Sequence, residues 1–286
     1  MKTAIITDSN SGIFEKEGGE KGIYVVPMPV ILDGQTYYEG HDISHEEFFS
    51  KLTGKSSVST SQPSAGTVTD LWDQLLGEGY DDIVHMPMSS GLSSTCQTAK
   101  MLAEDYDGKV QVVDNRRISV CLRASIYDAI HLREKGLSAK EIKEKLEADA
   151  GKFIIYLGVS TLDYFKASGR VTPATATIGN VLNIKPLLYT DGSKFDTVAK
   201  VRGVERCEKR LIASIEEKRK ELMKDGSKVR IGVAGSFVDS KDTNKWIKMA
   251  KDAFPGYDVY YDPLTFSIAC HTGPDAFGMG ISRVVE

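Results

Sequence analysis

The 286-residue chain contains no GxGxxG, no Walker A motif and no HExxH. The backbone signatures that bind a dinucleotide, a nucleoside triphosphate or a helix-borne zinc are therefore missing, and no cofactor or metal is expected. Its four cysteines, Cys96, Cys121, Cys207 and Cys270, form no CxxC pair. Isolated thiols of this kind usually serve as small core residues in a reducing compartment, so a cytoplasmic location is expected. Basic residues are not in surplus: 36 Lys and Arg stand against 40 Asp and Glu, a net charge of −4. A nucleic-acid binder needs the opposite balance. No apolar run approaches the roughly 20 residues of a membrane span. Thr7, Asp8 and Ser9 interrupt the first apolar segment too early for a secretory signal, so none is expected. What is present, 41% hydrophobic and 27% charged residues, is ordinary for a globular protein. The length suits one large domain or two of ordinary size.

Short β-like runs alternate with helical patterns. TAIIT (3–7), VVPMPVIL (25–32), DIVHM (82–86), KVQVV (109–113) and FIIYLGV (153–159) predict strands. Further strands are predicted at 185–190, 197–202, 229–234, 259–262 and 281–285. Ser44 with Glu47, and Ser138 with Glu141, have the spacing of capping boxes, and Ile43 with Phe48 that of a hydrophobic staple. Val68, Leu71, Trp72, Leu75 and Leu76 predict one buried helical face. Leu92, Cys96, Ala99, Ala103 and Tyr106 predict a second, and Val204, Cys207, Leu211, Ile215 and Leu222 a third. The alternation predicts an α/β fold, sheets covered by helices. It restarts after AGK (150–152), so two α/β domains are expected, 1–158 and 159–286.

Ligands of α/β sheets collect where loops leave the carboxyl ends of strands. Five loops stand out: TDSNSG (7–12), SSVSTSQPSAG (56–66), MSSGLSST (88–95), KASGRVTPATA (166–176) and CHTGPDAFG (270–278). Hydroxyls and free backbone N–H groups at a helix start form a cradle for an anion, and the helix dipole adds roughly half a positive charge there. A phosphoryl-transfer site would add lysine, arginine or metal carboxylates, and the second and third loops have none. A carboxylate needs only two or three donors and a histidine, which His271 would supply. For any single Ser or Thr the alternative is a plain N-cap or turn.

The remaining histidines predict less: His41 and His45 surface positions, His85 a hydrogen-bonded core residue, His131 part of a charged helix. GLSST fails the GxSxG nucleophile elbow because residue 95 is Thr. A Ser–His pair assembled in space stays open, which would make the protein a lipid or thioester hydrolase using Ser90 and His271. Lys200, Arg202, Arg206, Lys209 and Arg210 cluster where a strand leads into a helix. They form either a solvated face balanced by Glu205 and Glu208 or a docking surface for a partner.

The same five loops resemble those of the DegV family of bacterial fatty-acid-binding proteins. TDSNSG is similar to its opening strand and turn, STSQPS (59–64) and SSGLSST to its two hydroxyl loops. SGR (168–170) with IGNVLNIKPLLYTDG (178–192) resembles its middle signature, and HTGPDAFG its last. The resemblance implies two α/β domains with a fatty-acid tunnel between them. It implies that Thr60, Ser61, Ser90 with Ser89 beside it, and His271 hold the carboxylate, and that Arg170 lies at the entrance. It further implies a lipid-carrying subunit of a bacterial fatty acid kinase, without catalytic residues of its own. A separate ATP-binding subunit would phosphorylate the carboxylate, with Arg202 on the docking surface, and lipid exchange would involve transient membrane contact. A lipid sensor or transport protein without a kinase is the remaining alternative. Ser94 and Cys96 stand where the family has Gly and Tyr, Asp275 replaces a glycine, and DNRRISVC (114–121) departs from the usual loop. A carboxylate at 275 would repel a bound acid unless turned outward or protonated.

Overall fold

The computed structural model describes residues 2–54, 56–179 and 183–286. β1 (Thr3–Asp8) is buried along its whole length, as a strand covered on both faces must be. α1 (Glu15–Lys21) returns the chain to β2 (Ile23–Val26), which lies parallel to β1. β3 (Pro29–Leu32) and β4 (Gln35–Tyr38) then form a hairpin. VVPMPVIL is thus two strands in two sheets, divided at Pro27, which has no N–H to continue a ladder. α2 (His45–Thr53) is capped by Ser44 as expected, and β5 (Val58–Thr60) completes the small antiparallel sheet β4-β3-β5. α3 (Ala65–Gly77), β6 (Asp82–Met86), α4 (Thr95–Ala103) and β7 (Val110–Val112) complete the parallel sheet β2-β1-β6-β7. Leu92 and Tyr106 fall outside α4, so the second predicted face is shorter than its pattern.

α5 (Ser119–Glu134) and α6 (Ala139–Ala148) follow, the latter with the full capping box of Ser138 and Glu141. α5 carries His131, which is exposed beside Arg133 and Glu134 in its last turn. Most of the helix is buried, because it packs on β1 and on the sheet of the C-terminal half. That half continues with β8 (Phe153–Gly158), α7 (Asp163–Ser168), α8 (Pro173–Ala176) and β9 (Ile184–Thr190). Then come β10 (Asp196–Arg202), α9 (Val204–Leu222), β11 (Val229–Gly235) and α10 (Ser240–Ala253). β12 (Val259–Pro263), α11 (Phe266–Thr272) and β13 (Phe277–Arg283) end the chain.

The C-terminal sheet has the order β10-β9-β8-β13-β11-β12, with the last strand in its interior. β8 pairs with β9 and β13, so the change of sheet falls before Phe153 and not after residue 158. β13 starts at Phe277, earlier than the predicted run, and takes the end of the last motif into the sheet. Residues 180–182 of the middle motif lie outside the described residues. On α9 the predicted face holds except at Val204, which is 42% exposed. Among the described residues no helix is long and apolar enough to cross a membrane.

One apolar cluster runs from Ile5, Val84 and Ile126 to Ile155, Leu157 and Leu188, so both halves share a core. Beside it lies a chain of charges with three buried members, Arg117, Asp128 and Asp149, and two half-buried arginines, Arg230 and Arg283. Arg117, fully buried, faces Asp149 at 3.2 Å and Asp128 at 3.9 Å. Arg283 pairs with the same Asp149, and Arg230 with Asp128.

His85 is buried as expected but not hydrogen-bonded: neither ring nitrogen has a partner among the described residues. Its ring meets Trp72 edge-on, 5.5 Å between centroids. Burial depresses its pKa to about 3. Between the unfolded value near 6.5 and this value, protons bind the unfolded chain preferentially, so His85 removes stability as pH falls through that window. His85→Phe should therefore lose less Tm than the wild type between pH 7 and about pH 4.5, as thermal denaturation at the two pH values would reveal. An identical loss in both proteins would contradict the assignment.

Candidate ligand-binding site

Where the small sheet, the α4 loop and the C-terminal sheet converge, the fold encloses a cavity of about 220 Å³. That is just under the roughly 300–1,000 Å³ of small-molecule sites. Its floor is apolar and buried: Val120 from α5, Ile155 and Leu157 from β8, Ala234 from β11 and Met279 from β13. Strand alternation and register put Ile155, Leu157 and Ala234 on one sheet face, whereas Met279 borders the cavity beside Gly278 with its side chain in the core on the opposite face. Its rim is polar and more exposed, with Thr60, Ser61 and Gln62 at the end of β5, Ser93 and Ser94 before α4, and Arg170 and His271 opposite.

Thr60 and His271 meet across the two halves of the chain, Oγ1 to Nε2 at 3.0 Å. The Nδ1 atom of His271 is buried without a partner among the described residues. Burial first, and the Arg170 cation second, push its pKa down to about 4. The imidazole is therefore neutral near pH 7 and a weak base there. Among the described residues no carboxylate orients it and Ser90 is not paired with it, so the expected Ser90–His271 pair is not formed there. What this pair offers a ligand is hydrogen bonding.

Of the five residues expected at a carboxylate, Thr60, Ser61 and His271 line the cavity, and Ser89 and Ser90 do not. The Ser89 hydroxyl donates to Gly192 O at 2.5 Å and is buried. Ser90 is exposed, with its N–H 3.5 Å from Asp114 Oδ1. The loop turns between them and the cavity, so that Ser93 and Ser94 face the ligand space instead. Gly91 allows this packing: a Cβ there would stand 2.3 Å from Gly192 O. Ser93 accepts from Thr95 N at 3.2 Å, and Ser94 donates to Gln62 at 3.0 Å. In sequence the clue was position, since these are the last hydroxyls before the helix. The preceding pair looked equally good because hydroxyl type alone carries no direction.

Arg170 lines the cavity, its Nε donating to Leu92 O at 3.4 Å. Gly169, at φ +70°, ends α7 in the left-handed region and lets the chain turn to place it. Asp275 also has a positive φ, 55°, which explains how a family glycine position tolerates it. Its carboxylate is turned outward, accepting from Val238 N at 3.3 Å, and does not face the cavity. Cys96 is buried in the core under the parallel sheet and is not a lining residue. Arg202 is remote from the cavity, exposed on the edge strand β10. Of the surrounding basic residues, Lys209 pairs with Glu205 at 2.7 Å, whereas Glu208 is buried and pairs with Lys245.

Asn10, within the TDSNSG loop, and Ser267, outside the five loops, line the cavity, though neither is among the site residues expected from the sequence. Asn10 Oδ1 accepts from both Ser267 and Thr265, joining the N-terminal half to the C-terminal half. Asp8 fixes the turn beneath it, taking the N–H groups of Asn10 and Met88. TDSNSG therefore works mainly as a buried brace.

A DegV domain-containing protein of Staphylococcus aureus is 30% identical over 285 residues, covering 98% of this chain and 97% of the relative. Two solved structures share the fold from end to end. A DegV family protein from Thermus thermophilus, described for its fatty acid binding, aligns with a TM-score of 0.87 and 26% identity over 99% of this chain and 100% of its own. A fatty acid binding DegV family protein from Streptococcus agalactiae aligns with a TM-score of 0.85 and 27% identity over 99% of each chain. The family model described as the uncharacterised protein family DegV matches residues 2–284, and the chain belongs to the DegV family.

Proposed function

We propose that this protein binds a long-chain fatty acid, with its carboxylate at the Thr60–Ser61–His271 rim and its tail on the apolar floor. The observation that carries the reading is the cavity's division into one hydroxyl- and histidine-lined end and one buried hydrocarbon end. Relatives of the same fold are described as fatty-acid-binding. Each buried methylene contributes about 0.8 kcal/mol. A tail of about 14 methylenes thus supplies on the order of 10 kcal/mol before ordering costs, enough without a covalent bond. Ser93 and Ser94 join the carboxylate contacts in place of Ser89 and Ser90, and Arg170 guards the entrance. The fatty acid is the sole ligand of this reading; no cofactor enters it.

In its finer form, the protein presents the carboxylate to a separate ATP-dependent kinase subunit and has no activity alone. Arg202, exposed on β10 with no ion-pair partner among the described residues, suits the partner-facing role. Mass spectrometry of the protein, native and then denatured, should reveal one fatty acid per chain, lost in the Ser93→Ala/His271→Ala double variant. A folded wild type that neither carries nor takes up fatty acid would overturn the reading. For the finer form, Arg202→Glu should lower acyl phosphate formation with partner and ATP while leaving the bound lipid in place. Acyl phosphate made without the partner would refute it.

A further inference from the structure

α11 belongs to the C-terminal half, yet its first residues are held by the N-terminal half. Thr265 is its N-cap residue but makes no capping bond to its own helix. Its hydroxyl donates instead to Asn10 Oδ1 at 3.1 Å, and Ser267 donates to the same oxygen. The N–H of Phe266 would then be an orphan donor. It donates to Glu39 Oε2 at 2.6 Å, from a residue 227 positions earlier in the chain. Glu39 lies just beyond β4, tied by a bridge to Ile43. Burial raises its pKa to about 7, opposed by the Phe266 N–H. Asn10 is itself locked, 2% exposed, with its N–H on Asp8 and its Nδ2 on Met88 Sδ at 2.9 Å.

Three consecutive residues of one short helix are thus pinned by two side chains of the other half. The same helix carries His271 less than two turns later and supplies Ser267 and Ile268 to the cavity. α11 also packs against α7, β3 and β5, and Phe266 stacks on Phe48 at 4.1 Å between ring centroids. Directional bonds at its first turn add a fixed position along the helix axis to that packing.

We propose that Glu39 and Asn10 are positioning residues of the ligand site, fixing α11 so that His271 Nε2 meets Thr60. This rests on the fatty-acid reading of the cavity, but the geometry of His271 can be followed without any ligand. Glu39→Ala leaves the Phe266 N–H unpaired; Glu39→Gln keeps an acceptor of equal length. The variants are compared with wild type and with Ile215→Val, a core change in α9 remote from α11. Palmitate affinity is measured by calorimetry, and the His271 ring resonances by NMR on ligand-free protein.

Glu39→Ala should weaken palmitate binding by about tenfold, the size expected for a lost buried hydrogen bond. It should also move the His271 resonances. Glu39→Gln should restore both, and Ile215→Val should move neither. If Glu39→Ala leaves the His271 resonances in place, or Ile215→Val moves them equally, the proposal is overturned. If wild type takes up no palmitate, the binding reading fails, while the resonances still decide whether Glu39 positions His271.

Discussion

Asp128→Ala should lower the free energy of unfolding by about 3–5 kcal/mol, as removal of one member of a buried ion pair does. Asp128 lies fully buried on α5 between Arg117 and Arg230. Without it Arg117 and Arg230 lose their shared partner, and the three arginines are left with Asp149 and the more exposed Asp225. Arg117 and Arg230 are attached to different halves, so the excess charge sits at the seam of the shared core. Arg117→Met should cost less, about 1 kcal/mol, because Asp128 and Asp149 each keep an arginine partner and no buried charge is left uncompensated, the condition that makes breaking a pair costly. It leaves Arg230 with Asp128, and Arg283 between Asp149 and Asp225. Urea denaturation of both variants, with unchanged m-values, measures the contrast. Equal losses in the two would mean that packing around these residues, not charge balance, carries their contribution.

Ala234→Trp should nearly abolish fatty-acid binding while leaving the protein folded. Ala234 points from β11 onto the cavity floor, and its neighbour Val233 faces the other core cluster. An indole there occupies the space of the tail end and leaves the polar rim untouched. Excluding about five methylenes costs about 4 kcal/mol, roughly a thousandfold in Kd. Shorter acids should be spared in proportion, so the ratio of octanoate to palmitate affinity should rise sharply. Titration with the two acids, alongside thermal denaturation, tests this. A variant that binds both as wild type does would place the tail elsewhere in the molecule.

Both expectations depend on features of unequal legibility. The regular elements were readable because apolar period and cap chemistry are local. Ser44 and Ser138 stand at real helix starts, and TAIIT and DIVHM are adjacent strands of one sheet. β4 and β5 were not readable: they are short, half-exposed, and exist only by pairing with β3. The rim was legible as loops but not as atoms. Thr60, Ser61, Arg170 and His271 line the cavity, and the direction of the 88–95 loop places Ser93 and Ser94 there with them. Gly192 and Asp114, distant in sequence, decide that direction by engaging Ser89 and Ser90.

The charge network shows the same limit. Arg117 stands in a segment that reads as a polar loop, and its burial follows only from the approach of Asp149, Arg230 and Arg283. By itself, then, the sequence determined the α/β class, the positions of most helices and strands, the family motifs, and the absence of nucleotide and metal signatures. Those properties follow from period, composition and spacing, which act over a few residues. The tertiary structure alone decided which hydroxyls face the cavity, where Asp275 points, and how His271 meets Thr60. Each is a contact between segments far apart in sequence, and its direction is set by packing that no local pattern encodes.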